Sequence, residues 1–224
     1  YGITVFITVV GTAASLFITP LLAYPLSRKD FKARNIFSFL VFFTMLFNGG
    51  IVPSYIMWTR IFHLKNTITA LILPGLLMNG FNVILMKNYF AQNIPAELIE
   101  AAKMDGAGEF KIFFKMILPL SLPIMATVGL FVGIGYWNDW TNGLYYVTDA
   151  KLYSLQNLLN RILQDVQFLN SSTMTNAGVA ATTQMPSVSI RMAISVVGIL
   201  PIMVLYPFFQ KYFVKGIAVG AVKG

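Results

Sequence analysis

The stretch ELIEAAKMDGAGEFKIFF, residues 97–114, interrupts a chain that is otherwise strongly apolar. The 224-residue sequence is 57% hydrophobic and contains only eight acidic residues, and four of these lie in the stretch: Glu97, Glu100, Asp105 and Glu109. Apolar runs of about 20 residues flank it on both sides. A charged segment between two such runs must lie outside the hydrocarbon, so this stretch divides the chain into membrane-spanning parts.

Five apolar runs have the length of transmembrane helices, and they cover residues 3–25, 36–59, 67–88, 116–136 and 190–210. At a helical rise of about 1.5 Å per residue, each can cross a hydrocarbon core of about 30 Å. The mean hydropathy of +0.71 and the 11% of charged residues also lie outside the range of ordinary soluble domains. The composition therefore predicts an all-α, polytopic helical membrane protein with a single transmembrane domain over residues 1–224. Because Tyr1 already lies inside an apolar run, we expect a further N-terminal span before it.

Basic residues are distributed unevenly between the two sides of the predicted spans. Eleven of the sixteen fall on one side: Arg28, Lys29, Lys32, Arg34, Lys87, Lys103, Lys111, Lys115, Lys211, Lys215 and Lys223. The positive-inside rule assigns this side to the cytoplasm. We therefore expect residues 26–35, residues 89–115 and the C-terminus to be cytoplasmic. The net charge of +8 then reflects membrane orientation rather than nucleic-acid binding.

The spans lack the groups that energise transport or catalyse reactions. No Asp, Glu, Lys or Arg lies in the middle of a predicted span, where a charge would cost at least about 2.5 kcal/mol and is normally kept for an ion or proton pathway. The sequence has no cysteine, one histidine, His63, and no Gly-Lys dipeptide of a phosphate-binding loop. These features predict a non-catalytic subunit, and any energy for uphill transport must enter through another subunit.

Residues 93–116 predict a helix–turn–helix elbow on the cytoplasmic side. Pro95 suits the first helical position, Glu97 suits the positive end of the helix dipole, and Gly106 or Gly108 can end the helix in a left-handed conformation. A second helix follows, with an apolar stripe at Phe110, Phe113, Phe114 and Ile117. Periodicity alone leaves two alternatives open: a loop that lies on the lipid surface, and a joint that packs beneath the spans and presents a docking face.

Residues 137–189 form the longest predicted connection on the outer side. Apolar residues recur there at helical spacing, at Leu152, Leu155, Leu159, Ile162, Val166 and Leu169, which predicts an amphipathic helix. Residues 170–190 are rich in Ser, Thr and Asn and carry no charge, so we expect a loop there.

The elbow carries a motif that resembles a known family. Glu100-Ala101-Ala102, then Gly106, then Leu118-Pro119 resembles the EAA motif of ABC importer permeases, in which three residues separate EAA from the glycine and an isoleucine precedes the Leu-Pro pair by one residue. Met116 stands at that isoleucine, which is a conservative apolar exchange. Asp105 and Ala107 extend the match. The stretches FFKMILPLSLPIMAT, YWNDW and FFQKYFVKGIAVGAVKG resemble carbohydrate-importer permeases of the maltose type, closest to those for complex oligosaccharides or polysaccharide fragments.

This resemblance implies a role for the elbow. It would be a coupling helix that docks on a cytoplasmic ATPase, so that closure of two ATPases switches the cavity between inward-facing and outward-facing states. Glu100 would pair with a basic residue of the ATPase, Ala101 and Ala102 would form the close contact, and Asp105 and Gly106 would complete the docking turn.

The resemblance also implies the rest of the assembly. It predicts six spans in the full chain, a homologous second permease, two ATPase subunits and an extracytoplasmic solute-binding protein, all at a bacterial cytoplasmic membrane. The chain itself would bind no cofactor, since ATP and Mg²⁺ belong to the ATPase subunits. Two alternatives stay open: a permease for another solute class, and a passive channel or membrane assembly subunit.

Candidate substrate-path residues lie at the outer ends of two spans. Aromatic rings can stack on the C–H faces of sugars, and amides and carboxylates can bind hydroxyl groups. These residue types are found at Trp137, Asn138, Asp139, Trp140 and Asn142, with a second patch at Asn79, Phe81 and Asn82. An interfacial aromatic belt with local turn capping explains the first group equally well.

Overall fold

A computed structural model describes residues 1–175, 189–190, 192–204 and 207, with the side chains of 169–175 left undescribed. These residues form helices and connecting turns, with no strand among them. The first half contains α1 (Gly2–Ser27), α2 (Arg34–Leu46), α3 (Ile51–Ile56, extended by a π-helical turn over Met57–Ile61), α4 (Thr69–Ile72), α5 (Gly80–Asn93) and α6 (Ala96–Met104). The second half contains α7 (Glu109–Ile112, followed by a π-helical turn over Phe113–Ile117), α8 (Leu118–Leu120), α9 (Leu122–Trp137), α10 (Thr141–Tyr146), α11 (Leu155–Thr175) and α12 (Met192–Val204).

Helix α1 lies at the centre of the bundle and packs against α5 and α9. Its buried face carries small and hydroxyl residues at helical spacing, Thr4, Gly11, Ser15 and Thr19, with Ile7 between the first two. Such residues let helix backbones approach closely in a membrane, where apolar surfaces gain nothing by leaving lipid. A Cβ atom at Gly11 would overlap the Tyr136 ring of α9, so the glycine is required by the contact between α1 and α9.

The predicted span over 36–59 is not one helix. Helices α2 and Ile51–Ile61 meet at an angle of 110°. Gly50 between them adopts a left-handed backbone with φ +84°, which glycine reaches without a steric penalty. The Gly49-Gly50 pair that weakens helical propensity in the sequence is thus the position of the bend.

The predicted span over 67–88 is also divided, and its second part continues further than expected. Helix α4 ends at Ile72, Gly75 follows with φ +73°, and α5 runs on to Asn93. The Asn79 side chain caps the N-terminus of α5 by accepting a hydrogen bond of 2.8 Å from the Phe81 N–H. Carbonyl groups left free at the break are bonded from elsewhere, since the Tyr136 hydroxyl donates to the Ile72 carbonyl at 2.8 Å.

The last two predicted spans are also interrupted or shorter than expected. The span over 116–136 corresponds to α9 with the preceding helical turns, which meet at 79°. In the described residues one helix, α1, is long and apolar enough to cross a membrane alone, and up to three spans result if each bent pair counts as one. Helix α12 is a shorter apolar helix within the predicted span over 190–210.

The amphipathic helix predicted in residues 137–189 is present as α11. Leu155, Leu159 and Val166 on its apolar face are buried. The helix continues to Thr175, so the first residues of the predicted loop over 170–190 are helical. The rest of that loop lies almost entirely outside the described residues, as do the C-terminal motif and its three lysines.

Candidate functional site

The elbow predicted over 93–116 is present, and its first helix is α6. Pro95 is the N-cap residue rather than the first helical residue, and α6 ends at Met104. Gly106 follows with φ +75°. Its N–H donates to the Lys103 carbonyl at 3.0 Å, and the Ala107 N–H donates to the Ala102 carbonyl at 2.9 Å.

These two hydrogen bonds form a Schellman motif, which ends a helix with a left-handed residue and satisfies its last carbonyl groups. Gly106 therefore ends α6, whereas Gly108 has an ordinary φ of −70°. A Cβ atom at Gly106 would meet no atom within 4 Å, so the glycine is required by its backbone angle and not by lack of space.

The two alanines of the motif lie in different environments. Ala102 is only 7% exposed and packs in the core of this chain. Ala101, together with Glu100, Asp105 and the 89% exposed Met104, lies on the surface. Ala102 therefore supports the elbow from within, and of the two alanines only Ala101 is exposed in this chain.

Only part of the apolar stripe predicted for the second elbow helix is buried. Phe113 and Ile117 are buried with Ile112, whereas Phe110 is 77% exposed and Phe114 is half-exposed. The reason is that a π-helical turn over Phe113–Ile117 replaces the regular period of 3.6 residues and rotates the stripe. Phe110 thus stays at the open side of the elbow.

Four charged residues join the elbow to the end of α1, and sequence reasoning did not find them. Arg28 is the C-cap residue of α1 and bonds to Asp30 through two nitrogens. Arg28 Nη1 lies 3.2 Å from Glu109 Oε2, and Lys103 Nζ lies 2.8 Å from Glu109 Oε1 and 3.5 Å from Asp30 Oδ2. The Tyr24 hydroxyl accepts a hydrogen bond of 2.8 Å from Arg28 Nη1 and completes the network.

Hydrogen bonds within the network shift the pKa values of two of its members. The hydrogen bonds from Arg28 lower the pKa of Asp30 to about 2, and the hydrogen bond to Glu109 raises the pKa of Lys103. A carboxyl whose pKa is lowered by folding stabilises the folded state above its ordinary pKa, and this contribution is lost as the pH falls from the ordinary pKa through about 2. The pKa of Asp30 therefore keeps its bonds to Arg28 ionic at physiological pH.

The predicted substrate-path residues lie at the other end of α9, and most of them are engaged within the chain. Trp137 is 7% exposed, and its indole N–H donates to the Gly198 carbonyl of α12 at 3.0 Å. Asn142 donates to the Pro74 carbonyl at 3.0 Å. Trp137 is therefore not free to stack on a sugar ring.

Asp139 has a structural role that is visible in its bonds. One carboxyl oxygen, Oδ1, accepts hydrogen bonds from the N–H groups of Thr141 and Asn142 at the start of α10. The other, Oδ2, is buried and has no hydrogen-bond partner among the described residues. Burial raises the pKa of this carboxyl, and the two backbone hydrogen bonds oppose the rise.

The remaining candidates divide by exposure. Asn138, Trp140 and Asn79 are exposed, whereas Asn82 is buried between helices. Among the described residues no group of three or more His, Asp or Glu side chains is placed to hold a metal ion. The exposed residues that remain are suited to hydrogen bonding and ring stacking.

A bundle of long and bent apolar helices with a glycine-terminated elbow at one end defines a permease-type membrane domain. The chain belongs to the family described as binding-protein-dependent transport system inner membrane component, whose profile matches residues 3–219.

Two relatives from Bacillus subtilis (strain 168) match the whole length of the chain. Protein LplC is 44% identical over 225 residues, which cover 100% of this chain and 73% of LplC. The polygalacturonan/rhamnogalacturonan transport system permease protein YtcP is 43% identical over 224 residues, which cover 99% of this chain and 76% of YtcP.

A solved structure is similar to this chain in both fold and sequence. It is the crystal structure of a bacterial ABC transporter involved in the import of the acidic polysaccharide alginate. The match has a TM-score of 0.78 and 34% sequence identity, and it covers 95% of this chain and 74% of that one. Likeness at this level extends the family assignment to the three-dimensional arrangement of the helices.

Proposed function

We propose that this chain is the membrane-spanning permease subunit of an ATP-driven importer for carbohydrate, with oligosaccharides or polysaccharide fragments as its substrates. The observation that carries the proposal is the elbow, where a helix held by a Schellman motif exposes Glu100, Ala101 and Asp105 on one surface. Similarity over the whole chain to permeases named for pectic polysaccharides and to an alginate importer supports the substrate class.

In this proposal the elbow receives mechanical work from outside the chain. No charged residue lies in the middle of an apolar run of the sequence, where it could couple transport to an ion gradient. Two ATPase subunits bind and hydrolyse ATP with Mg²⁺, and their closure displaces the elbow of this subunit and of a homologous second permease. The chain itself performs no catalysis and binds no cofactor.

The proposed orientation puts the elbow and the C-terminus in the cytoplasm of a bacterium and α11 on the outer side. The excess of basic residues on the elbow side supports it. A solute-binding protein would then deliver sugar to the outer side, close to the exposed side chains of Asn138, Trp140 and Asn79. We propose that these three residues contact the sugar, that Asp139, Asn142 and Asn82 position them, and that Trp137 stabilises the fold through its bond to α12.

A charge reversal on the exposed face of α6 tests this function. Glu100→Lys should prevent the ATPase subunits from co-purifying with the permease and abolish sugar uptake, because it reverses the charge that would meet a basic residue. Glu97→Lys, an equally exposed reversal one turn earlier, is the control and should retain both. Membrane insertion is followed by the yield of folded protein in detergent. Normal uptake in Glu100→Lys would refute the docking role.

A second measurement separates the remaining candidates. A passive channel or assembly subunit would retain no ATPase even in the wild-type chain. A permease for another solute class would retain the ATPase, but its cognate solute-binding protein would bind none of a panel of oligogalacturonates, oligoalginates and neutral oligosaccharides.

A further inference from the structure

The network of Arg28, Asp30, Lys103 and Glu109 connects parts of the chain that the turn at Gly106 separates. Lys103 lies in the last turn of α6, and Glu109 lies in the first turn of α7. Both bond to groups at the C-terminal end of α1. Glu109 accepts from Lys103 with one oxygen and from Arg28 with the other, so it joins all three helices.

Packing between the elbow and α1 is incomplete beside this network. A cavity of about 370 Å³ lies between them, and it is lined by three network residues, Arg28, Asp30 and Glu109, together with Leu21, Tyr24, Pro25, Phe31, Phe110 and Phe113. The Tyr24 and Phe113 rings touch across it, with centroids 5.4 Å apart. The ion pairs therefore link the elbow to the central helix where the apolar packing between them is incomplete.

The exposure of these side chains argues against stabilisation as their main effect. Asp30 and Glu109 are 58% and 54% exposed, and the Lys103 side chain is 41% exposed. Ion pairs at such exposure contribute little to folding stability, because water screens them and the side chains lose freedom. The ion pairs do fix the distance and direction between the elbow and the end of α1. Arg28 is held firmly within them because its side chain is only 12% exposed.

We propose that these four residues are positioning residues that transmit displacement of the elbow to α1, so that ATP hydrolysis is coupled to movement of the translocation path. This inference rests on the proposed function. Helix α1 packs against both α5 and α9, so its displacement reaches the three helices that enclose the core. Loss of the network leaves the docking face of α6 intact and lets the elbow move without carrying α1.

The test measures sugar imported per ATP hydrolysed by the whole importer in proteoliposomes, with its ATPase and solute-binding protein. Glu109→Gln and Lys103→Met remove the shared pair, and we expect each to lower this ratio about fivefold or more, the low end of coupling between distant sites. The double variant should be no worse than the more severe single one, because both remove the same link. Glu97→Gln and Lys111→Met are matched controls in the same elbow, with no ion pair within the described part of the chain, and should keep the wild-type ratio.

The outcomes separate this inference from the proposed function. Retention of the ATPase with a lowered ratio in both single variants supports the inference, since general damage to folding would lower hydrolysis and import together. A ratio within twofold of wild type in both, with the ATPase retained, overturns the inference and leaves the proposed function standing. Absence of the ATPase from the wild-type complex overturns both.

Discussion

Gly106 offers the sharpest test of how the elbow is built. Its φ of +75° lies in the left-handed region, where an L-residue is strained by about 1–2 kcal/mol relative to its usual conformations. Nothing lies within 4 Å of the Cβ position, so steric overlap with neighbours adds nothing to the effect of Gly106→Ala. The substitution should therefore destabilise the turn by about 1 kcal/mol, which lowers its ratio of folded to unfolded forms about fivefold.

A graded series separates the backbone angle from other causes. Gly106→Asn should be milder than Gly106→Ala, because asparagine adopts the left-handed region more readily. Gly106→Pro should be the most severe, since proline cannot reach this φ and removes the N–H that donates to Lys103. Gly108→Ala is the control, because Gly108 has φ −70° and equally open surroundings.

The assay combines thermal unfolding of the purified permease with sugar uptake by the assembled importer. Uptake should fall in the order Gly, Asn, Ala, Pro at position 106, and Gly108→Ala should be close to wild type. Equal damage from Gly106→Ala and Gly108→Ala, or a milder effect of alanine than of asparagine at 106, would refute the assignment of the turn to the left-handed glycine.

Three further predictions concern the other end of the bundle. Burial raises the pKa of Asp139, so its neutral form stabilises the fold below the ordinary pKa of a carboxyl, and this stabilisation is lost as the pH rises through the raised pKa. Asp139→Asn should remove this pH dependence and raise the Tm at pH 7. Melting curves recorded from pH 4 to 8 test both results. Trp137→Phe loses the hydrogen bond to α12, so it should lower the free energy of unfolding by about 1 kcal/mol and leave sugar affinity unchanged. Trp140→Ala should do the opposite, because it should weaken sugar affinity and leave the Tm unchanged. Gly11→Val should overlap the Tyr136 ring and destabilise the bundle by more than about 2 kcal/mol in denaturant unfolding.

The sequence predicted where most helices lie better than it predicted where those helices break. Apolar runs located α1 to α5, α8, α9 and α12, and helical periodicity located α11, whereas α10 was not predicted. An apolar run does not show whether its helix is straight. Glycine pairs and Pro-Gly steps signal possible breaks, and the angles of 110° and 79° depend on how the broken ends pack. The position of the elbow turn was likewise narrowed to two glycines by sequence, and the backbone angle decided between them.

The sequence pointed to candidate residues that lie close together in the chain, but it did not show which distant residues they bond to. The resemblance to the EAA motif pointed to the residues of α6 that could meet a partner, since helical periodicity alone left two alternatives open. The bonds from Arg28 to Glu109 and from Trp137 to Gly198 join residues 81 and 61 positions apart, and no local pattern records such pairings. Trp137 was expected in a sugar-binding role because its chemistry suits sugar, but burial gives it a structural one.

The hydroxyl of Tyr136 has a mechanical consequence beyond satisfying a carbonyl group. Its bond to Ile72, together with the bond from Asn142 to Pro74, attaches the C-terminal end of α4 and the residues directly after it to the outer part of the α9–α10 region. Helix α4 therefore cannot separate from this region without breaking two hydrogen bonds. Helix α4 should travel with the outer end of α9 and with α10 as one rigid body. Flexing during a transport cycle is then expected at the bends near Gly50 and Ser121, where the helix pairs meet at sharp angles.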